Sequence, residues 1–337
     1  MMKASQWKQA VLESRVRSVV PVLTQPGIAI LGRTVREAVT RADVHTKAVA
    51  ATVRRFPVSA ATTIMDLSVE AEAFGAPVRF TDHEVPTVMS RVVRDKESVH
   101  ALNIPEPGKG RMGARLEAVR MTLKAVIDRP VFAGCIGPFS LAARLFDVSE
   151  VMMALYDQPE VILALLEKST ALLTRCCKDF KSAGAHGVLI AEPVAGMLSP
   201  EHCEEFSSKF VKRIVDAVQD DSFLVILHNC GDTDRLVTSM VGTGAAGLHF
   251  GNRCTMTDAL KQIPPDILVF GNLDPVGTLK MGTPETVRRK TDALLDATKP
   301  YANFILSSGC DVPRGTPFEN LDAFFDALKR FNAERGI

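Results

Sequence analysis

Residues 223–230 read Phe-Leu-Val-Ile-Leu-His-Asn-Cys: an uninterrupted apolar run, Phe223 to Leu227, that ends in His228, Asn229 and Cys230. A short continuous apolar run bounded by polar residues predicts a strand covered on both faces, as in a parallel sheet. Residues i and i+2 of a strand share a face, so His228 and Cys230 project together from its end. A second run, Phe304 to Leu306, continues through Ser307, Ser308 and Gly309 to Cys310. If the two strand ends meet, one imidazole nitrogen and two thiolate sulfurs converge. That donor set suits Zn2+, and three protein ligands leave a fourth position open for a substrate.

Working outward, six further apolar runs have strand character: Val19–Leu23, Ala61–Asp66, Pro130–Cys135, Val188–Ala191, Ala246–Phe250 and Ile267–Phe270. With the two above they make eight, and most are separated by stretches of helical length. Alternating strands and helices predict an α/β fold with a parallel sheet, and eight units predict a closed (β/α)8 TIM-type barrel. Helix starts are marked at Ser199-Pro200-Glu201, Thr283-Pro284-Glu285 and Thr316-Pro317, each a hydroxyl residue before proline. Glu319 three residues after Thr316 predicts a capping box. Leu321, Phe324, Phe325, Leu328 and Phe331 lie on one stripe of a final amphipathic helix. Thr81 to Gly110, rich in proline and charge, is expected to be an excursion over one rim, a small hairpin and loop. The whole chain, 1–337, is expected to be one barrel domain with 81–110 as that rim insertion.

A chain of 337 residues suits one α/β barrel. Hydrophobic content of 46% supplies a large core, and a net charge of +1 without charge runs gives no footprint for nucleic acid or an anionic membrane surface. Met1 to Arg17 is polar and mixed in charge, without the apolar segment of a signal peptide, and no later stretch is long enough to span a bilayer. The seven cysteines are therefore expected to be reduced thiols of a cytoplasmic protein.

In a barrel the chemistry sits at the C-terminal ends of the strands. Asp66, Glu192, Asn252, Asn272, Asp274 and Cys310 all fall there, beside His228 and Cys230. Asp66 and Glu192 also read as helix N-caps. Cys135, Cys176, Cys177 and Cys203 read as small core residues, and Cys254 as a weaker alternative ligand. His45, His83, His100, His186, His202 and His249 read as hydrogen-bonded structural histidines. The His228 ring should have an orienting partner, but the sequence does not name it.

Several segments taken together resemble the cobamide-dependent methyltransferases of the uroporphyrinogen decarboxylase superfamily. They are His228-Asn229-Cys230-Gly231-Asp232, Gly271-Asn272-Leu273-Asp274-Pro275, Gly282-Thr283-Pro284-Glu285, Ser308-Gly309-Cys310-Asp311 and Thr316-Pro317-Phe318-Glu319-Asn320. Glu70-Ala71-Glu72-Ala73-Phe74-Gly75-Ala76 and Gly137-Pro138-Phe139-Ser140-Leu141-Ala142 fit as well, so the likeness spans nearly the whole chain. It implies a (β/α)8 barrel, with zinc on His228, Cys230 and Cys310. It also implies transfer of a methyl group from a methylated corrinoid protein to a thiol such as coenzyme M. Two thiolates would keep the centre electron-rich and a third, substrate thiolate nucleophilic. Glu192 and Asp66 are the expected catalytic carboxylates, and Asn272 and Asp274 the residues expected to line the cofactor pocket. No Asp-x-His-x-x-Gly corrinoid-binding segment occurs, so the methylcobamide is expected on a partner corrinoid protein. An alternative runs the other way: a demethylase taking methyl from a methoxy, methylamine or methylthio compound. A decarboxylase-type lyase is the less favoured branch. That branch carries an arginine-rich motif after the first strand to bind a polyanionic tetrapyrrole, where this chain reads Thr24-Gln25-Pro26-Gly27-Ile28-Ala29 with no arginine before Arg33. A non-catalytic binding barrel is the remaining class, and the intact His228, Cys230 and Cys310 set weighs against it.

Overall fold

A computed structural model describes residues 3–335. In chain order its strands are β1 (Ala61–Thr62), β2 (Val78–Arg79), β3 (Thr87–Val88), β4 (Val131–Ile136), β5 (Gly187–Ala191), β6 (Leu224–Asn229), β7 (Gly247–Phe250), β8 (Leu268–Leu273) and β9 (Phe304–Ser308). β1, β4, β5, β6, β7, β8 and β9 form one curled parallel sheet in that order, and β2 pairs with β3 in a separate antiparallel hairpin. Helices return the chain between neighbouring strands: Pro159–Ser182 before β5, Lys209–Val218 before β6, Met256–Gln262 before β8 and Pro284–Ala297 before β9. Every residue of β4 through β9 is buried, because helices cover one face and the curled sheet encloses the other.

The enclosed face carries Phe132, Leu189, Leu224, Ile226, Phe270 and Ile305, joined by Val20 and Val22. Each such side chain contributes about 1.5–3 kcal/mol on burial. The first helix, Ala4–Glu13, seals the N-terminal end of this core. Its buried face is Ala4, Trp7 and Val11, and the Trp7 ring lies 5.4 Å from that of Phe132. The Ser5 N–H donates to the Asp221 carbonyl just ahead of β6 at 2.9 Å. The open end of the sheet is therefore the C-terminal one, where the strand-end residues gather.

The eighth expected strand, Val19–Leu23, is not a laddered strand. Only Val19 makes a bridge, to Leu306. Residues 18–22 still run between β9 and the approach to β1. Val20 N–H donates to the Leu306 carbonyl, and Ser59 N–H to the Val19 carbonyl at 2.7 Å. Two side-chain hydroxyls replace ladder partners: Ser59 Oγ accepts from Val19 N–H at 3.0 Å and Ser308 Oγ from Val22 N–H at 3.1 Å. Pro21 has no N–H to offer. The sheet is thus seven-stranded, with an irregular segment in the eighth place. β1 is also shorter than expected, whereas β6, β8 and β9 run on through their polar ends.

Ser199 and Thr283 accept from His202 N–H and Thr286 N–H, as their positions implied. Thr316 does not cap. Its hydroxyl donates to the Pro313 carbonyl at 2.8 Å, and the final helix, Phe318–Glu334, begins beyond it with Pro317 at the cap position. Between β1 and β4 the chain forms the β2–β3 hairpin and the short helix Lys96–Ala101. The Arg314 side chain, after β9, donates to the Asp82 carbonyl of this segment at 3.0 Å. Val92 N–H donates to the Leu145 carbonyl in the helix Pro138–Phe146, after β4. Among the described residues no helix is long and apolar enough to cross a membrane.

Candidate metal centre

β6 delivers His228 as its penultimate residue, with Cys230 just past its end; β9 ends at Ser308, and Gly309 leads to Cys310. In the sheet β6 and β9 are separated by β7 and β8, so it is the curl that brings these ends together. One ring nitrogen of His228 and the sulfurs of Cys230 and Cys310 all lie within 4.8 Å of one another. Among the described residues this is the one group of three or more histidine, cysteine or carboxylate side chains so arranged. His228 is buried and both cysteines are half-buried. The approach of the loops depends on two glycines. A Cβ on Gly251 would stand 2.5 Å from the Cys230 carbonyl oxygen, and one on Gly309 would stand 2.5 Å from the Asn252 nitrogen.

The two neighbouring sulfurs shift each other: Cys310 pulls the Cys230 thiol down to about 7, and Cys230 pushes Cys310 up to about 12, with burial adding to the rise. Two soft sulfurs and an imidazole fit zinc, with no fourth protein ligand in the group. Cys135, Cys176, Cys177, Cys203 and Cys254 are buried and outside the group. Burial pushes Cys203 up to about 11 and Cys254 up to about 12, so neither is a ready thiolate.

The orienting partner of the His228 ring is His249. The two residues are level in the β6–β7 register. Their Nδ1 atoms are 2.6 Å apart, and their rings meet edge to face with centroids at 4.5 Å. His228 Nδ1 also lies 3.3 Å from the His249 carbonyl, and His249 Nε2 lies 2.9 Å from Ser307 Oγ in β9. Burial holds the His249 ring well below the ordinary histidine range, so it is neutral. The sequence hid this role, since His249 is a lone histidine in an apolar run. The signal that exposes it is strand register.

The other expected site residues have these places. Glu192 follows β5 and is buried. Its backbone N–H donates to the His228 carbonyl at 2.8 Å. Its carboxylate accepts from Phe139 N–H at 2.9 Å and Ser140 N–H at 2.8 Å, in the first turn of the helix Pro138–Phe146. Burial raises this carboxyl to about 7 against the pull of those hydrogen bonds. Asp66 is buried, accepts from Ser68 N–H and Oγ–H at 2.9 and 2.7 Å, and pairs with the Arg111 guanidinium, which also pairs with Glu72. Asn272 donates to the carbonyls of Gly251 and Cys254 at 2.9 and 2.7 Å, holding the loop after β7. Asp274 accepts from Val276 and Gly277 N–H, both at 2.9 Å, capping the turn after β8.

Residues 16–331 match the family profile of uroporphyrinogen decarboxylase (URO-D). Among curated proteins, the chain is 30% identical over 279 residues to the methylcobamide:CoM methyltransferase MtbA of Methanosarcina acetivorans, covering 79% of this chain and 78% of that protein. It is 28% identical over 293 residues to the uroporphyrinogen decarboxylase of Anaeromyxobacter dehalogenans, covering 83% of each. Among solved structures, a methyltransferase from Methanosarcina mazei superimposes with a TM-score of 0.88 at 22% identity, covering 98% of this chain and 99% of the other. That likeness is one of fold.

Proposed function

The chain belongs to the uroporphyrinogen decarboxylase family of enzymes, and on that premise we propose that it is a zinc-dependent methyltransferase that moves a methyl group from a methylated corrinoid protein to a thiol such as coenzyme M. The observation that carries this reading is the convergence of His228, Cys230 and Cys310 within 4.8 Å, with no fourth protein ligand in the group. Similarity to a methylcobamide:CoM methyltransferase over 79% of the chain supports the substrate class. The decarboxylase relative is nearly as similar, so the residues must discriminate. Here Thr24 and Gln25 are buried at the start of the helix Thr24–Ile30, and Arg33 is exposed and paired with Glu37. No cationic fork stands at that place to hold a carboxylate-rich tetrapyrrole.

His228, Cys230 and Cys310 would hold the zinc, which when bound keeps a substrate thiol deprotonated at neutral pH. Whatever protons Cys230 and Cys310 carry leave as the sulfurs become ligands. Glu192, one strand from His228 with a carboxyl near 7, suits a group that takes or returns a proton at neutral pH. Asp66, held by Arg111 and Ser68, shapes the rim after β1. Asn272 and Asp274 hold the loops after β7 and β8 that border the site.

The test is metal analysis of the purified protein with the variants Cys230→Ser and Cys310→Ser. About one zinc per chain is expected, lost in both variants together with methyl transfer to a thiol. A protein that carries no zinc, and whose variants keep that activity, would sink the proposal. Methylation of a corrinoid protein from a methylated small molecule, without thiol methylation, would reverse the direction.

A further inference from the structure

The hydroxyl of Ser307 reports where the protons lie around His228. Ser307 Oγ stands 2.7 Å from the Val20 carbonyl and 3.0 Å from the Ser308 carbonyl. Neither carbonyl can donate, so the single hydroxyl proton is directed at a carbonyl, with Val20 the shorter contact. Toward His249 Nε2, 2.9 Å away, Oγ is left with lone pairs alone. Nε2 of His249 must therefore carry the hydrogen. His249 is 2% exposed with no carboxylate among its hydrogen-bond partners, so its ring is neutral and its Nδ1 is bare. That bare nitrogen faces His228 Nδ1 at 2.6 Å, which must then be the donor. The His249 carbonyl, at 3.3 Å from His228 Nδ1 a longer contact, can likewise only accept.

We propose that Ser307 and His249 are positioning residues that fix His228 as its Nδ1–H tautomer and so present a bare Nε2 to the two cysteine sulfurs. The chain of bonds begins at the Val20 carbonyl, in the irregular segment that stands in place of an eighth strand, and ends at the metal-ligating nitrogen. Closure of the sheet and readiness of the site are thereby one structural fact. The inference rests on the zinc reading only in its last link; the tautomer belongs to the protein with or without metal.

The test uses the full-length protein with 15N-labelled histidine, freed of metal, and reads the His228 ring by 15N–1H correlation, with His228→Gln identifying its signals. Wild type is expected to show the proton on Nδ1. In His249→Leu, which removes the nearer acceptor and leaves only the carbonyl at 3.3 Å, the Nε2–H form is expected to appear beside the Nδ1–H form. His249→Asn, whose Oδ1 stands near the place of Nδ1, is expected to restore the Nδ1–H form. Zinc affinity, measured by chelator competition, should fall roughly 10- to 100-fold in His249→Leu and recover in His249→Asn. Ser307→Ala is the milder variant should His249→Leu fail to fold. It frees the His249 tautomer and should give mixed His228 signals. An Nε2–H tautomer in wild type overturns the proposal, as does an unchanged tautomer with unchanged zinc affinity in His249→Leu or Ser307→Ala. Wild type that shows Nδ1–H yet binds no zinc refutes the metal reading and leaves the relay intact.

Discussion

At the scale of single residues, Glu192 sets the clearest pH signature. Its carboxyl is raised to about 7 by burial, from an ordinary value of 4.5. The folded chain therefore binds this proton more tightly than the unfolded chain does. The resulting stabilisation is fully present below the unfolded value and is lost as pH rises through the folded one. The difference between the two pKa values corresponds to something on the order of 3 kcal/mol. Urea unfolding between about pH 4.5 and about pH 7 should show stability declining across that window in wild type and a flatter profile in Glu192→Gln. Equal slopes in the two proteins would rule out a buried carboxyl of raised pKa. The sequence exposed His228, Cys230 and Cys310 because each sits at or just past the polar end of an apolar run, where the pleat fixes direction. It did not expose His249 or Ser307. Both lie within strands, and their partners are 21 and 58 residues from His249 in the chain.

At the scale of elements, close approach rather than propensity decides which substitutions the packing tolerates. Gly27 lies in the helix Thr24–Ile30 against the helix Ala42–Arg55. A Cβ there would meet Thr52 Oγ1 at 2.3 Å and the Ala48 carbonyl oxygen at 2.7 Å. The carbonyl cannot move without its helix, and Thr52 Oγ1 is itself bonded to that carbonyl at 3.1 Å. Gly27→Ala should cost about 1–3 kcal/mol, read as a lower thermal midpoint. An unchanged midpoint would mean that the two helices are looser than described. The first helix, Ala4–Glu13, escaped sequence reading because its buried face is only Ala4, Trp7 and Val11 on an otherwise polar stretch. Thr316 misled for a related reason. A hydroxyl before proline reads as a cap, but the local turn gives it the nearer Pro313 carbonyl.

At the scale of the whole molecule, the seven parallel strands were legible because strands covered on both faces are apolar at consecutive positions. The eighth place was misread because the run Val19–Leu23 is apolar too, and only hydrogen bonding distinguishes a ladder from a segment held by hydroxyls. Ser59→Ala would leave the buried Val19 N–H without its acceptor. A loss of about 1–3 kcal/mol in denaturant unfolding is expected; no loss would mean that closure does not depend on that bond. The curl that this segment completes is also what brings the β6 and β9 ends close enough for His228, Cys230 and Cys310 to hold one metal ion. The most direct measurement is absorbance-monitored demethylation of methylcobalamin by the zinc-loaded protein, with coenzyme M and a panel of other thiols as acceptors. Thiol-dependent demethylation by wild type, abolished in Cys310→Ser, is the expected result. Zinc-loaded wild type that leaves methylcobalamin intact with every thiol would contradict methyl transfer to sulfur at His228, Cys230 and Cys310.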